Sequence, residues 1–420
     1  MTSRERVLAI LNHREADRVP LDLGAAVVSG MQASAVYRLR QALKLDPPGT
    51  PVKVIEPSQM LGEIQPDLLD AIGADVMSAR ISSTKWGFRC QDWKPWTTFD
   101  GTPVLVPGEF NTEPDETGAI LQWPRNDRTC EPSGKMPKGG FYFDCLVRRK
   151  EVDEDALNPA DNCEEYGLVS DRDLDELKAQ VAAAKAAGKA CVVSIPGTSF
   201  GDVSGVPGPG LRDPKGVRDV EEWYMITSTH PEYVQAVFER QCEIGLENLK
   251  RIHDAVGDEP VAAYVSGTDF GAQKGPLIAP RKYRALYAPY QKRLNDWIHE
   301  NTTWKTFIHS CGSVMAFMPD MIAAGWDIFN PVQTSAENMD PAELKRRFGA
   351  QATFWGGGVD TQHTLPLTTP DAIREEVRRN LEIFKPGGGY VFNPIHNVQQ
   401  GVPTENLLAM YEAVREFGRY

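Results

Sequence analysis

An imidazole and a thiol stand two residues apart at the end of a predicted strand. Residues 304–309 are rich in β-branched and aromatic side chains, which predicts a buried strand, and His309 and Cys311 come at its end. In extended backbone, residues i and i+2 point to the same face, so the two side chains leave the strand together. This donor pair suits zinc better than magnesium or calcium. Two ligands do not make a site, and the alternative is a buried histidine beside an unreactive cysteine.

Eight predicted strands, each followed by a helix, position these residues. The strands lie near residues 19, 74, 190, 261, 304, 327, 352 and 389. Alternating strand and helix indicates an α/β fold with a parallel sheet, and eight such units favour a closed (β/α)8 TIM barrel. A doubly wound open sheet is the alternative. The absence of a Gly-x-Gly-x-x-Gly segment after the first strand weakens that alternative.

Polar residues stand at the carboxyl ends of five predicted strands, where a barrel of this kind has its active site. We expect Asp269 and Asp360 to be catalytic residues. Asn330, Gln333 and Gly357 are the predicted substrate-binding residues. The predicted metal ligands are His309, Cys311 and His396. Only the barrel could bring them to one place, and this convergence favours a zinc site. Each also has a structural alternative, such as a carboxylate that braces a turn or a histidine satisfied in the core.

Two segments depart from the regular alternation. Residues 81–165 crowd tryptophans among Gly, Pro, Asp and Thr, which predicts a small antiparallel β lobe inserted into one barrel domain of residues 1–420. Its tryptophans either hold small sheets together or form a wall over the site. The Gly/Pro-rich loop 196–214 is long enough to predict a functional loop.

Composition limits the classes of partner. The chain has 420 residues, of which 41% are hydrophobic and 25% charged, with a net charge of −13. This charge, without a run of Lys or Arg, argues against nucleic acid and anionic membranes as partners. No apolar run approaches transmembrane length. Seven cysteines without a disulfide framework predict reduced thiols in the cytoplasm.

Several of these segments together resemble a known family. They are Arg4–Leu8, Asp17–Pro20, Ser266–Gly271 with Pro276–Ile278, Ile308–Gly312, Asn330–Gln333, Trp355–Gln362 and Phe392–Pro403. With them the chain resembles the uroporphyrinogen decarboxylase superfamily, and most closely its methyltransferase-type branch. The resemblance covers most of the chain and implies a single (β/α)8 barrel.

The two branches of that family imply different chemistry. True decarboxylases need no metal and carry an Arg-Gln-Ala-Gly-Arg-Tyr segment, whereas here Arg40-Gln41-Ala42 is followed by Leu43-Lys44-Leu45. The corrinoid-dependent methyltransferases carry His-x-Cys and a later Cys as zinc ligands, and His396 stands at the position of that later Cys. Exchanging a thiolate for an imidazole makes the site less anionic and the metal a stronger Lewis acid. Activation of an oxygen or nitrogen substituent then fits at least as well as activation of a thiol.

The leading hypothesis is zinc-dependent methyl transfer between a small molecule and a corrinoid carried on a separate protein. The small molecule would be an O-, N- or S-methyl compound or a thiol, and no corrinoid-binding Asp-x-His-x-x-Gly segment occurs in the sequence. The alternative is a metal-free carboxy-lyase in which His396 or an Asp donates the proton. A third class is a barrel that binds a ligand without turnover. The oligomeric state stays open, with a homodimer among the alternatives.

Overall fold

The central element is a curled sheet of seven parallel strands, seen in a computed structural model that describes residues 1–149 and 151–420. The strands of this sheet and of the smaller sheets, in chain order, are β1 Val52–Glu56, β2 Leu61–Gly62, β3 Val76–Ala79, β4 Lys94–Thr97, β5 Pro103–Val106, β6 Glu113–Pro114, β7 Ile120–Gln122, β8 Gly134–Met136, β9 Asp144–Cys145, β10 Ala190–Ser194, β11 Ala262–Ser266, β12 Gly271–Ala272, β13 Gly275–Pro276, β14 Lys305–His309, β15 Ile328–Asn330, β16 Thr353–Trp355 and β17 Tyr390–Val391. The central sheet has the order β17-β16-β15-β14-β11-β10-β3.

Helices follow the strands of this sheet, as the predicted alternation requires. They are α1 Ser3–Leu11, α2 Ala33–Ala42, α3 Pro66–Ile72, α4 Asp171–Ala186, α5 Val220–Thr229, α6 Pro231–Val256, α7 Pro280–Lys282, α8 Ala288–Asn301, α9 Met318–Ala323, α10 Pro341–Phe348, α11 Thr364–Leu367, α12 Pro370–Phe384 and α13 Thr404–Phe417. A π-helical turn, Tyr283–Tyr287, joins α7 to α8. In the part of the chain that the structure describes, no helix is long and apolar enough to cross a membrane.

A short segment after α1 lies between the two ends of the seven-stranded sheet. Leu21 pairs in parallel with Phe392, and the Asp22 amide donates to the Phe392 carbonyl over 2.9 Å. On the other side, the Asp75 amide donates to the Leu21 carbonyl over 2.8 Å. The segment therefore serves as the first of eight strands, and the predicted TIM-barrel fold is confirmed.

The barrel interior is apolar in its middle and polar at the carboxyl ends of the strands. Val192, Ala262, Phe307 and Trp355 belong to one buried cluster, to which α1 contributes Val7, Ile10 and Leu11. Because side chains alternate along a strand, the residues two positions beyond these layers also point inwards. His309, two residues after Phe307, thus reaches the mouth of the barrel.

Two small four-stranded sheets accompany the barrel. One has the order β2-β1-β5-β4 and includes the parallel pair β1 and β5, while the antiparallel sheet β6-β7-β8-β9 lies within the predicted insertion. Trp86 packs edge-on against Phe143 with ring centroids 6.0 Å apart, and Trp96 packs against Phe110 at 5.8 Å. These tryptophans hold the sheets together. The boundaries 81–165 stay a prediction.

Candidate metal centre and active site

Three side chains from two distant parts of the sequence meet at the barrel mouth. The ligand atoms of His309, Cys311 and His396 all lie within 4.8 Å of one another. Cys311 Sγ is 3.2 Å from His309 Nε2, and the two imidazole rings are 5.4 Å apart between centroids. The barrel brings together the three residues predicted as metal ligands, because β14 and the segment after β17 both end at the mouth.

Asn330 orients the ring of His309. The two residues are register partners on β14 and β15, and His309 Nδ1 lies 2.5 Å from Asn330 Oδ1. The amide nitrogen of Asn330 donates to the Trp355 carbonyl over 2.7 Å, so its oxygen is the atom left for His309. Nδ1 must then carry the proton, which leaves the Nε2 lone pair directed towards Cys311 and free for a metal.

We expect Asn330→Ala to weaken divalent metal binding about 10–100-fold, because it removes the partner that selects the ring tautomer. Asn330→Asp keeps an acceptor for the ring and should retain most of the affinity. Metal titration of the purified variants, monitored by competition with a chromophoric chelator, measures both. Equal affinity in Asn330→Ala and the unmodified protein would contradict this role.

Cys311 is held by its backbone. The Cys311 amide donates to Asp269 Oδ1 over 2.7 Å, and the Gly312 amide donates to Gln333 Oε1 over 2.7 Å. Gly312 has φ +80°, and a Cβ at this position would come within 2.4 Å of the Gly271 backbone. Asp269 and Gln333 thus contact the Cys311 loop. Their assignments to catalysis and to substrate binding, like that of Asn330, stay predictions.

Burial sets the protonation of the site. It lowers the pKa of His309 to about 4, and burial with the neighbouring His309 lowers the pKa of His396 to about 4. Burial raises the pKa of the Cys311 thiol well above its usual value, and raises that of Asp269 to about 6. Near neutral pH the metal-free site therefore holds two neutral imidazoles, a protonated thiol and a largely ionised carboxylate.

Asp360 and Gly357 lie in the loop after β16, and their hydrogen bonds stabilise that loop. The Asp360 carboxylate accepts from the Gln362 amide over 2.8 Å and lies 2.8 Å from His363 Nδ1. The Gly357 carbonyl accepts from Asn380 Nδ2 over 3.0 Å. Among the described residues, neither makes a hydrogen bond with the three predicted metal ligands. Their predicted functional roles are left untested by these contacts.

Two further residues near the site were missed by the sequence reasoning. They are Asp202 and Tyr264. Burial is the main cause that raises the pKa of Tyr264, and the negative charges of Asp202, Asp269 and Cys311 raise it further, in that order of size. Asp202 lies in the loop predicted to be functional, where it accepts from the amide and hydroxyl of Ser204 at 2.9 Å each. Tyr264 packs edge-on against Phe307 at 5.6 Å. Side-chain alternation along β11 could have identified Tyr264, since it lies two residues after the interior Ala262.

Comparison with known proteins finds similarity to one family in the second half of the chain. Residues 211–417 match the family model of uroporphyrinogen decarboxylase (URO-D). The uroporphyrinogen decarboxylase of Actinobacillus succinogenes is 35% identical over 182 residues, which are 41% of this chain and 49% of that protein. The enzyme of the same name from Aeromonas salmonicida is 27% identical over 182 residues, 40% of this chain and 48% of that protein. The chain spans about half of the length of the curated relatives it matches.

A solved structure extends the likeness to the whole chain. A methyltransferase from Methanosarcina mazei aligns with 99% of both chains at a TM-score of 0.55, with 16% sequence identity. At this identity the match shows a shared fold. The aligned residues include those of the two small sheets as well as those of the barrel.

Proposed function

We propose that this chain is a member of the uroporphyrinogen decarboxylase superfamily, whose family model matches residues 211–417, and that it is a zinc-dependent methyltransferase. It would act between a small molecule and a corrinoid on a separate protein. One observation carries the proposal: two imidazoles and one thiol with their ligand atoms within 4.8 Å of one another. A set of three protein ligands that leaves a fourth position open is typical of catalytic zinc.

The donor set fits zinc in its chemistry as well as in its number. His309 and His396 are neutral near pH 7, which is the form that binds metal. His309 Nδ1 is already bonded to Asn330, so each of the three residues offers one ligand atom. Bound zinc would supply a Lewis acid at the substrate heteroatom that carries or receives the methyl group.

The protein groups around this set hold and orient it. Asn330 fixes the His309 ring, and Asp269 and Gln333 fix the Cys311 loop. Burial is the main cause that raises the pKa of the Cys311 thiol, and the negative charges of Asp269 and Asp202 raise it further.

The second candidate is the metal-free carboxy-lyase, which the names of the curated relatives favour. A decarboxylase needs cations for the carboxylates of its substrate, and Arg40 is the sequence candidate from the incomplete motif. Its guanidinium is paired with Asp46 at 2.5 Å and with Asp67 at 2.8 Å. Arg40 is therefore spent on structural ion pairs, which supports the methyltransferase proposal.

Metal analysis of the purified protein, followed by a corrinoid assay, separates the two candidates. We expect about one zinc per chain, because the described residues contain one set of three ligands. With zinc bound, a methyl donor should convert added cob(I)alamin to methylcobalamin, followed by absorbance. A metal-free protein that releases CO2 from a carboxylated porphyrinogen would instead establish the carboxy-lyase.

Zinc binding near pH 7 is expected to release about one proton per chain, since a thiol must deprotonate to bind and neutral imidazoles need not. The proton comes from Cys311, whose pKa burial raises, while His309 has already lost its own. Calorimetric titrations with zinc in buffers of different ionisation enthalpy give the number. Any zinc that Cys311→Ser still binds at high zinc concentration should release close to no proton, because the thiol is gone. Release of two or more protons by the unmodified protein would show that the histidines are charged beforehand.

A further inference from the structure

The barrel has one open seam, between its first strand and β3. At the bottom of the seam the Asp75 carboxylate accepts from the Leu21 amide over 3.0 Å and from the Arg6 guanidinium over 2.7 Å. Above Asp75, no ladder joins the two strands in the described part of the chain, since β3 pairs with β10 alone. The strands diverge there and leave a cavity of about 460 Å³.

This seam cavity is mostly apolar, and its charged groups have partners. Leu23, Ile55, Ile64, Leu69 and Trp93 are among its walls. Three charged residues, Glu56, Glu63 and Arg80, also line the cavity. Arg80 and Glu56 lie 3.9 Å apart, and Glu63 lies 3.9 Å from Lys53, which is outside the wall. Glu56 also accepts from the Ser58 amide and hydroxyl. Each charged residue of the wall therefore lies near an opposite charge.

One hydroxyl in the wall has no partner. Ser78 Oγ is buried without a hydrogen bond among the described residues. A rotation about the Ser78 Cα–Cβ bond would let the hydroxyl pair with a ligand in the cavity, which would satisfy this buried polar group. Ser78 lies two residues beyond Val76, which belongs to the interior cluster with Phe307 and Trp355. Both line the cavity and share one face of β3, so the inward face of β3 forms part of the cavity wall.

The wall of the cavity is tied to the metal centre. Asn397, the residue after His396, accepts from the Gly30 amide over 2.6 Å and donates to the Val27 carbonyl over 2.9 Å. Gly30 and Val27 both line the cavity. A molecule in the seam therefore lies against a loop that is hydrogen-bonded to Asn397, the neighbour of a proposed metal ligand.

We propose that the seam cavity holds the apolar, uncharged body of the substrate while its methyl-bearing heteroatom reaches the metal centre, an inference that rests on the proposed function. The volume is that of a small-molecule pocket, which spans roughly 300–1,000 Å³. The substrate class is then an apolar methyl ether or thioether with one further hydrogen-bonding group for Ser78. Small charged methyl compounds such as betaines would leave the cavity unfilled.

Binding of two fluorescent probes tests the inference without any corrinoid. The probes are 2-methoxynaphthalene and 6-methoxy-2-naphthol. Ile55→Trp fills the cavity from β1 and should weaken both at least about 10-fold, because it removes apolar contact area. Ser78→Ala should weaken the naphthol about fivefold, the effect of one hydrogen bond, and leave the naphthalene ether unchanged.

Leu105→Trp is the matched control. Leu105 is half-buried on the neighbouring strand β5, paired in register with Lys53 and therefore on the same face as Ile55, and it does not line the cavity. It should bind both probes as the unmodified protein does. The inference would be overturned if a folded Ile55→Trp variant bound the probes as tightly as the unmodified protein, or if glycine betaine displaced the probes. If Ile55→Trp does not fold, Ser78→Ala still tests the inference.

A spectrum tests the link to the metal. In protein substituted with Co²⁺, 2-methoxynaphthalene should shift the visible absorption, since its ether oxygen reaches the open position. Probe binding without this shift would overturn the link. Probe binding and shift in a protein without methyl transfer would overturn only the proposed function, whereas methyl transfer unaffected by Ile55→Trp would overturn only the cavity inference.

Discussion

Cys311→Ser is expected to lose zinc while the fold is kept. The substitution replaces a soft anionic donor by a hydroxyl that stays protonated near neutral pH, and even indirect changes around a metal cost about 10–100-fold in affinity. We therefore expect zinc per chain to fall from about one to near zero after dialysis, with methyl transfer lost. Tm should change little, because the barrel core consists of apolar residues from every strand.

Cys242→Ser separates a metal ligand from a buried apolar cysteine. Cys242 is fully buried in α6, and its Sγ contacts only the Tyr290 carbonyl, at 3.8 Å, among the described hydrogen-bond partners. A hydroxyl there costs about 1–3 kcal/mol of stability without an effect on metal. This variant should show a lower Tm with full zinc. The same pattern in Cys311→Ser would refute the metal centre.

His396→Ala should lower zinc affinity by more than about 100-fold, since losing a ligand exceeds the loss of a supporting contact. It also removes the imidazole that lies 5.4 Å from the His309 ring, so the remaining pair, His309 and Cys311, cannot close a catalytic site. Methyl transfer should fall in parallel with zinc content. Zinc per chain and the rate of methylcobalamin formation are measured on the same preparation.

His396→Cys is the informative rescue. A cysteine offers a ligand atom at the same point of the chain, so we expect zinc binding to return, with a second thiolate in place of an imidazole. The metal then becomes a weaker Lewis acid, and activity should shift towards thiols. His363→Ala is the control: His363 lies at the surface against Asp360 and should keep both zinc and activity. If His396→Ala retained zinc in full, His396 would not be a ligand.

Much of the architecture could be predicted from local pattern. Each barrel strand is a short apolar run followed by a helix, and the parallel arrangement follows from that order. His309 and Cys311 share a face because of strand geometry alone. Their meeting with His396 required only the assumption that the strands close into a barrel, since closure brings all carboxyl ends to one mouth.

Other features depend on contacts between residues that are distant in sequence. The tautomer of His309 is set by Asn330 across two strands, and the Cys311 loop by Asp269 and Gln333. Asp202 influences the site from a loop whose course has no periodic signal. Short polar residues such as these read as turn or cap residues in a sequence, because their role depends on which neighbour the fold supplies.

The sequence by itself predicted the barrel and the two imidazoles and one thiol that meet at its mouth. The tertiary structure decided which polar residues surround those donors and where a substrate body can lie. The seam shows the reason most clearly. The Leu21 amide donates to the Asp75 carboxylate instead of a backbone carbonyl, and the Asp75 amide donates to the Leu21 carbonyl. These bonds close the barrel at the level of Leu21, and the seam is open beyond it. Such a gap is a property of two strands that diverge in space, and a one-dimensional pattern contains no distance between them.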